Sequence, residues 1–143
     1  MSLRSKFGTS VLLVTLLFAV AGIGLTTTAG EQSARVYELR IYTTAEGRLD
    51  ALLARFGGGE IDLFHKHGIE SVGYWVPDEG PTSENTLVYM VAHASRESAA
   101  ASWQAFRDDP VWQAMWDASR ADGPIVTNVE STFLNSADFS PLQ

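Results

Sequence analysis

Residues 36–43, VYELRIYT, alternate Tyr37, Leu39 and Ile41 with Glu38, Arg40 and Tyr42, so an extended chain here has one apolar and one polar side. That period of two belongs to a β-strand with a single greasy face. The period then changes. Leu49, Leu52, Leu53 and Phe56 recur at the i, i+3, i+4, i+7 spacing of one helix face. Gly57, Gly58 and Gly59 interrupt it, and three glycines cost a helix about 3 kcal/mol against alanine. The phase survives them, because Leu63 and Phe64 return on the side of Phe56. The stretch reads as two helical segments with a weak joint, ending at Gly68 as the C-cap.

Strand two is expected over residues 69–76, followed by a loop over 77–85 rich in Pro, Gly, Asp and Ser, and strand three over 86–94. Ser95 suits an N-cap with Glu97 in the first turn, and Ala99, Trp103 and Phe106 mark the buried stripe of the next helix. Asp109-Pro110 restarts that helix, since proline is favoured at the first helical position; Val111, Trp112, Met115 and Trp116 carry it toward Gly123-Pro124. Strand four is expected over 125–134. The order β-α-β-β-α-β predicts an α+β fold, the ferredoxin-like split βαβ unit, with an antiparallel sheet and both helices on one face. Its other face, expected to carry Trp75 and Tyr89, would be adhesive if left bare, and pairing two sheets face to face in a symmetric homodimer covers it.

The length of 143 residues and 45% hydrophobic content suit one domain with one core. The formal charge of −7 falls to −9 without Arg4 and Lys6, which argues against nucleic acid as a partner. Arg4 and Lys6, the apolar residues 11–25 and the small residues Thr27, Thr28 and Ala29 form the three zones of an export signal. Cleavage is expected after Ala29. The earlier site at Ala19-Val20-Ala21 would leave Gly22 to Leu25 exposed. The apolar run is shorter than the ~20 residues that cross a bilayer, so membrane contact is expected only through this segment if it stays uncleaved. The chain then divides into a signal peptide at 1–29, a linker at 30–35, the domain at 36–134 and a tail at 135–143, exported to the periplasm or beyond the cell. With no cysteine, disulfides, a lipid anchor on cysteine and a thiol nucleophile are excluded.

The segment FHKHGIESVGYW, residues 64–75, sets His65 and His67 around Lys66. On a helical wheel His67 falls with Leu63 and Phe56, and His65 opposite. Paired metal ligands on a helix sit four apart, so no metal site is expected. His65 and Lys66 complement the negative end of the helix. His67 reads either as a buried imidazole bonded to backbone or as a pocket residue taking a proton near neutral pH. Glu38, Arg40 and Tyr42 share a strand face expected to turn toward the partner sheet. There Arg40 either pairs with Glu38 or Glu130 to hold the dimer, or orients an acidic or carbonyl-bearing ligand while Tyr42, Trp75 and Tyr89 line an apolar cavity. Trp103, Trp112 and Trp116 read as core, and His93 as a solvated strand end. No nucleophile elbow, phosphate loop or dinucleotide fingerprint is present, and no cofactor is expected.

VYELRIYT with Gly47 after it, KHGIESVGYW, WQAF, DPVWQAM and the closing VESTFL together resemble the NIPSNAP family over residues 36–134, and the tail DFSPL is similar to the ending of bacterial members. The resemblance implies a dimeric α/β-barrel built from two ferredoxin-like subunits, in a family with no single agreed reaction. Gly57 to Gly59 and His65 depart from the family pattern, as does a third strand without a basic and aromatic pair near Met90 and Val91. Catalytic residues stay unassigned; the ligand-pocket candidates are Arg40, Tyr42, His67, Trp75, Tyr89 and Glu130. The leading expectation is an exported homodimer that binds a small hydrophobic or carbonyl-bearing molecule. Cofactor-free oxygenases and isomerases on this barrel fold imply a second, with His67 or Tyr42 accepting a proton. A non-catalytic dimeric interaction module is the third.

Overall fold

The computed structural model describes residues 35–142. The signal peptide and the linker up to residue 34 lie outside the described residues, as does Gln143. The elements are β1 (Val36–Thr44), α1 (Leu49–Arg55), a kinked glycine segment (Phe56–Glu60), α2 (Ile61–Lys66), β2 (Glu70–Trp75), a 3₁₀ turn (Pro81–Glu84), β3 (Thr86–His93), α3 (Arg96–Asp108), α4 (Pro110–Ser119) and β4 (Val126–Leu134). Each strand falls within one residue of its expected bounds at either end. The sheet is antiparallel throughout in the order β2-β3-β1-β4, the ferredoxin-like arrangement.

Register decides which face each side chain occupies. Tyr74, Tyr89, Arg40 and Ser131 form one row across the four strands, flanked by the row Val91, Glu38, Phe133 and the row Leu87, Tyr42, Val129. Leu87, Tyr89 and Val91 are buried in the core with Leu52, Phe56, Phe64, Trp103 and Phe106 of the helices, so these rows lie beneath the helices. The expectation that Glu38, Arg40 and Tyr42 face a partner sheet is therefore corrected: β1 turns its polar side inward and its Leu39 and Ile41 outward. The polar side tolerates burial because its members bond one another. Tyr89, at 0% exposure, likewise belongs to the helix-covered face. The open face carries Leu39, Ile41, Val88, Met90, Trp75 and Glu130. The tail passes beside Tyr37, Met90 and Leu134 at one end of that face.

The glycine triplet kinks the helix, as expected, between the two segments α1 and α2. Gly59 leaves the helical region at φ +130°, a conformation glycine adopts without a Cβ penalty, while Phe56 and Glu60 on either side both stay buried. Leu53, expected on the buried stripe, is 37% exposed, and Val111 is 54% exposed, so the apolar faces of α1 and α4 are narrower than the spacing implies. At the other helix ends the local reading holds. Gly68 closes α2 at φ +74°, Ser95 caps α3 by accepting from Ser98 N, and Pro110 opens α4; Asp109, not singled out as a cap in the sequence, caps α4 by accepting from Val111 N.

A side chain at position 59 is strained by its backbone angle and would place Cβ 3.2 Å from Met115 Cε. Gly59→Ala is expected to lose about 1–3 kcal/mol in urea denaturation. At Gly57 and Gly58 an added Cβ meets nothing within 4 Å. Alanine there should be neutral or gain up to ~1 kcal/mol. Equal effects at all three positions would refute the kink at Gly59.

Candidate functional site: a divided aromatic chamber under the helices

The sheet floor and the last two helices enclose a solvent-open chamber of about 480 Å³. Arg40 and Tyr42 of β1 form its floor, Trp103, Phe106, Trp112 and Trp116 its walls, and the exposed Arg107, Gln113 and Asp117 its rim. The walls follow from helix spacing on α3 and α4. Trp103 and Phe106 lie one turn apart on the stripe capped by Ser95, and Trp112 and Trp116 one turn apart on the segment capped by Asp109.

Arg40 is held in place from three sides. Nη1 donates to Glu38 Oε1 at 2.6 Å, Nη2 to the Tyr42 hydroxyl at 3.3 Å, and the guanidinium lies 4.4 Å from the Trp103 ring centre. Burial disfavours its charge, but the neighbouring Tyr42, Tyr89 and Glu38 outweigh that and hold it firmly cationic. Its Nε is buried and without a hydrogen-bond partner.

Glu38, 1% exposed, is the hub beneath this arrangement. Besides Arg40 it accepts from Ser131 Oγ at 2.6 Å, Trp103 Nε1 at 2.6 Å and His93 Nε2 at 3.0 Å. A carboxylate can only accept, so Nε2 of His93 carries the proton. Burial alone would raise the Glu38 pKa, yet the bonds from His93, Ser131 and Trp103 and the charge of Arg40 bring it down to about 2. His93 is therefore not the solvated strand end expected. It is 2% exposed, because β3 delivers it under α3.

A second compartment of about 200 Å³ shares Tyr42, Phe106, Trp112 and Trp116 with the first, and these side chains partition the two. It adds Arg55 and Glu60, whose side chains are each 2% exposed and bond Nε to Oε2 at 2.8 Å. Burial pushes the Glu60 pKa up and the charges of Arg55 and Arg40 pull it back, leaving it at about 7.

The six expected pocket residues do not converge in one chain. Arg40 and Tyr42 line the chamber, and Tyr89 packs 5.2 Å from the Tyr42 ring, its hydroxyl buried and lacking a well-formed hydrogen bond. Trp75 and Glu130 lie on the open sheet face. His67 is neither bonded to backbone through its ring nor part of the chamber lining: Nε2 bonds Asp109 Oδ2 at 2.7 Å, and Lys66 Nζ bonds the same oxygen at 2.6 Å. Hydrogen bonds from Lys66 and His67 and from the Val111 N–H hold the Asp109 carboxyl well below the usual range. The basic turn thus docks the end of α2 onto the N-cap of α4. His65 bonds Ser71 Oγ at 2.9 Å on the surface.

The NIPSNAP profile matches residues 37–141, nearly the whole described part of the chain. The chain belongs to the NIPSNAP family. A NIPSNAP family protein with unknown function from Agrobacterium tumefaciens is similar in structure at a TM-score of 0.67 and 27% identity, over 78% of this chain and 96% of that one. A second from the same organism gives 0.66 and 27%, over 76% and 99%. An uncharacterized NIPSNAP-like domain protein from Burkholderia xenovorans gives 0.66 at 21% identity, over 76% and 90%, a likeness of fold. No curated protein matches the chain.

Glu60, Arg55 and the hub role of Glu38 were missed by the sequence reading. For Glu60 a signal existed. It stands four residues after Phe56, at the position where the apolar stripe of α1 and α2 has a gap.

Proposed function

We propose that this NIPSNAP protein is an exported homodimer in which each subunit binds a small hydrophobic, carbonyl-bearing molecule in the aromatic chamber under its helices. The observation that carries the reading is a partly buried cation, Arg40, on the floor of an open chamber of about 480 Å³ with aromatic walls. A volume of that size is in the range of small-molecule sites. Charge balance favours a neutral acceptor over a full anion, because Arg40 is already paired with Glu38 and the rim sets Arg107 against Asp117. A carbonyl oxygen accepts from a guanidinium without disturbing that balance. The flat walls favour a ring or a conjugated chain.

Dimerisation is supported by the open face, where Trp75 is 52% exposed beside half-buried Leu39, Ile41, Val88 and Met90. Apolar surface of this kind on a sheet is usually covered. With Arg40 on the other face, the dimer does not depend on it.

Native mass spectrometry of the protein exported by its own signal reads mature mass, subunit number and bound molecules together. A cleaved dimer that releases a small organic molecule on denaturation is expected. Three tryptophans line the chamber, so added hydrophobic ketones should quench their emission. Arg40→Met is expected to weaken that binding at least about tenfold, the cost of a lost charge-assisted hydrogen bond, with the dimer mass unchanged. Unchanged affinity in Arg40→Met, or an empty chamber that no ketone quenches, would defeat the proposal.

A further inference from the structure

The smaller compartment contains groups that ligand holding alone does not call for. The geometry points to Glu60 as a proton acceptor for a small apolar ketone, removing a proton from the carbon next to the carbonyl while Arg55 donates to the enolate oxygen. This rests on the chamber being a ligand site, and extends that reading from binding to a reaction class.

Glu60 stands where its helix would otherwise present an apolar side chain. Replacing a buried ion pair by packed apolar residues is often neutral or stabilising, so packing does not account for the carboxyl. It follows directly on the kink at Gly59, whose φ of +130° turns the chain between the two helical segments and leaves Glu60 buried. Arg55 is fixed by two rings, its guanidinium 5.1 Å from the Trp112 centre and 5.2 Å from that of Trp116. With Nε on Glu60, its Nη1 is buried and lacks a hydrogen-bond partner, a donor available to a ligand oxygen. Both residues line a compartment of about 200 Å³, room for a carbonyl headgroup whose remainder extends past the shared aromatic partition into the larger chamber.

The step balances without an oxidant or cofactor. The C–H electron pair becomes the C=C bond of the enolate, the carbonyl π pair moves onto oxygen, and the proton passes to the Glu60 carboxylate. Return of that proton to the same carbon exchanges it with solvent. Return to the far end of a conjugated system moves the double bond. A base works best with its pKa near the operating pH, and the burial of Glu60 against the charges of Arg55 and Arg40 holds it at about 7. The other groups facing it are the hydroxyls of Tyr42 from β1, Tyr74 from β2 and Tyr89 from β3, while α4 supplies Trp112 and Trp116 and β4 the neutral Thr127 and Asn128. His67, bound to Asp109, lies outside both compartments.

The test uses 2-tetralone in deuterated buffer, following loss of its C1 proton signal by NMR and its binding by tryptophan emission. Wild-type protein is expected to accelerate exchange at least about 100-fold over buffer, the lower range for a positioned base, with the rate falling as pH drops through 7. Glu60→Gln should remove the acceleration and leave quenching within about twofold, since the amide still accepts from Arg55. Glu60→Asp keeps the charge but withdraws it by a methylene, and should also lose most of the rate. Quenching without acceleration in wild-type protein, or full acceleration in either variant, overturns this inference alone; absence of quenching overturns the chamber reading with it.

Discussion

Replacing Glu38 by alanine is expected to cost about 3–5 kcal/mol, the range for breaking a buried ion pair by removing one partner. Four donors converge on this carboxylate: Arg40 and Ser131 on one oxygen, Trp103 and His93 on the other. Alanine leaves the Arg40 cation buried with the Tyr42 hydroxyl alone, and strands the indole N–H of Trp103 among rings. Each stranded group carries its own desolvation cost, which is why the loss exceeds that of one hydrogen bond. The same residue makes an acid limb. Its folded pKa, about 2, lies below the ordinary 4.5, so its contribution is complete above pH 4.5 and disappears as pH falls through 2. By linkage that amounts to on the order of 3 kcal/mol. Urea midpoints at pH 7 and pH 2 should therefore drop steeply in wild-type protein and more shallowly in Glu38→Ala. A variant within 0.5 kcal/mol of wild type at pH 7, using ~0.5 as the reach of ordinary surface substitutions, would remove Glu38 from the centre of the fold.

Strand limits, caps and helix segments were legible because each is set by neighbours in sequence. VYELRIYT alternates, Ser95 sits where a side-chain oxygen reaches a free N–H group, and Gly68 alone suits the φ of +74° at its turn. The choice of face was not legible by hydrophobicity. Polar Glu38, Arg40 and Tyr42 were expected to face a partner sheet, whereas their i, i+2 spacing on one strand face lets them bond in series and so enter the core beneath the helices. That error moved Trp75 and Glu130 into a shared pocket with Arg40, when the sheet separates them. His67 was placed near the right surface but its partner, Asp109, is 42 residues away, and no local pattern announces such a pair. Glu60 was within reach. A carboxylate interrupting an apolar stripe is the mark of a buried ionisable group, and the weak joint expected at the glycine triplet is the kink that directly precedes it.

Phe64→Ala is expected to lose about 3–5 kcal/mol, the range for emptying a buried phenylalanine. Phe64 is 0% exposed, and its ring meets Phe106 at 4.9 Å, Trp103 at 5.3 Å, Phe56 at 5.8 Å and Tyr89 at 6.2 Å between centroids. It therefore joins α2, α3, the kinked segment that begins at Phe56, and β3 at one point. Partial collapse of these neighbours is hindered because Trp103 is bonded to Glu38 and Phe106 packs 4.4 Å from Trp112, so the deleted volume stays largely open. Leu53→Ala is the comparison on the same helical wheel. At 37% exposure it should cost below about 1 kcal/mol, although helical spacing assigns both residues to the same apolar face in sequence. Equilibrium denaturation with an unchanged slope is the measurement. Similar losses for the two variants would mean that the helices do not pack on the sheet through Phe64. Trp103 and Phe106 would then lack the backing that holds them upright as chamber walls, and the room between them and Arg40 would have no fixed shape to offer a ligand.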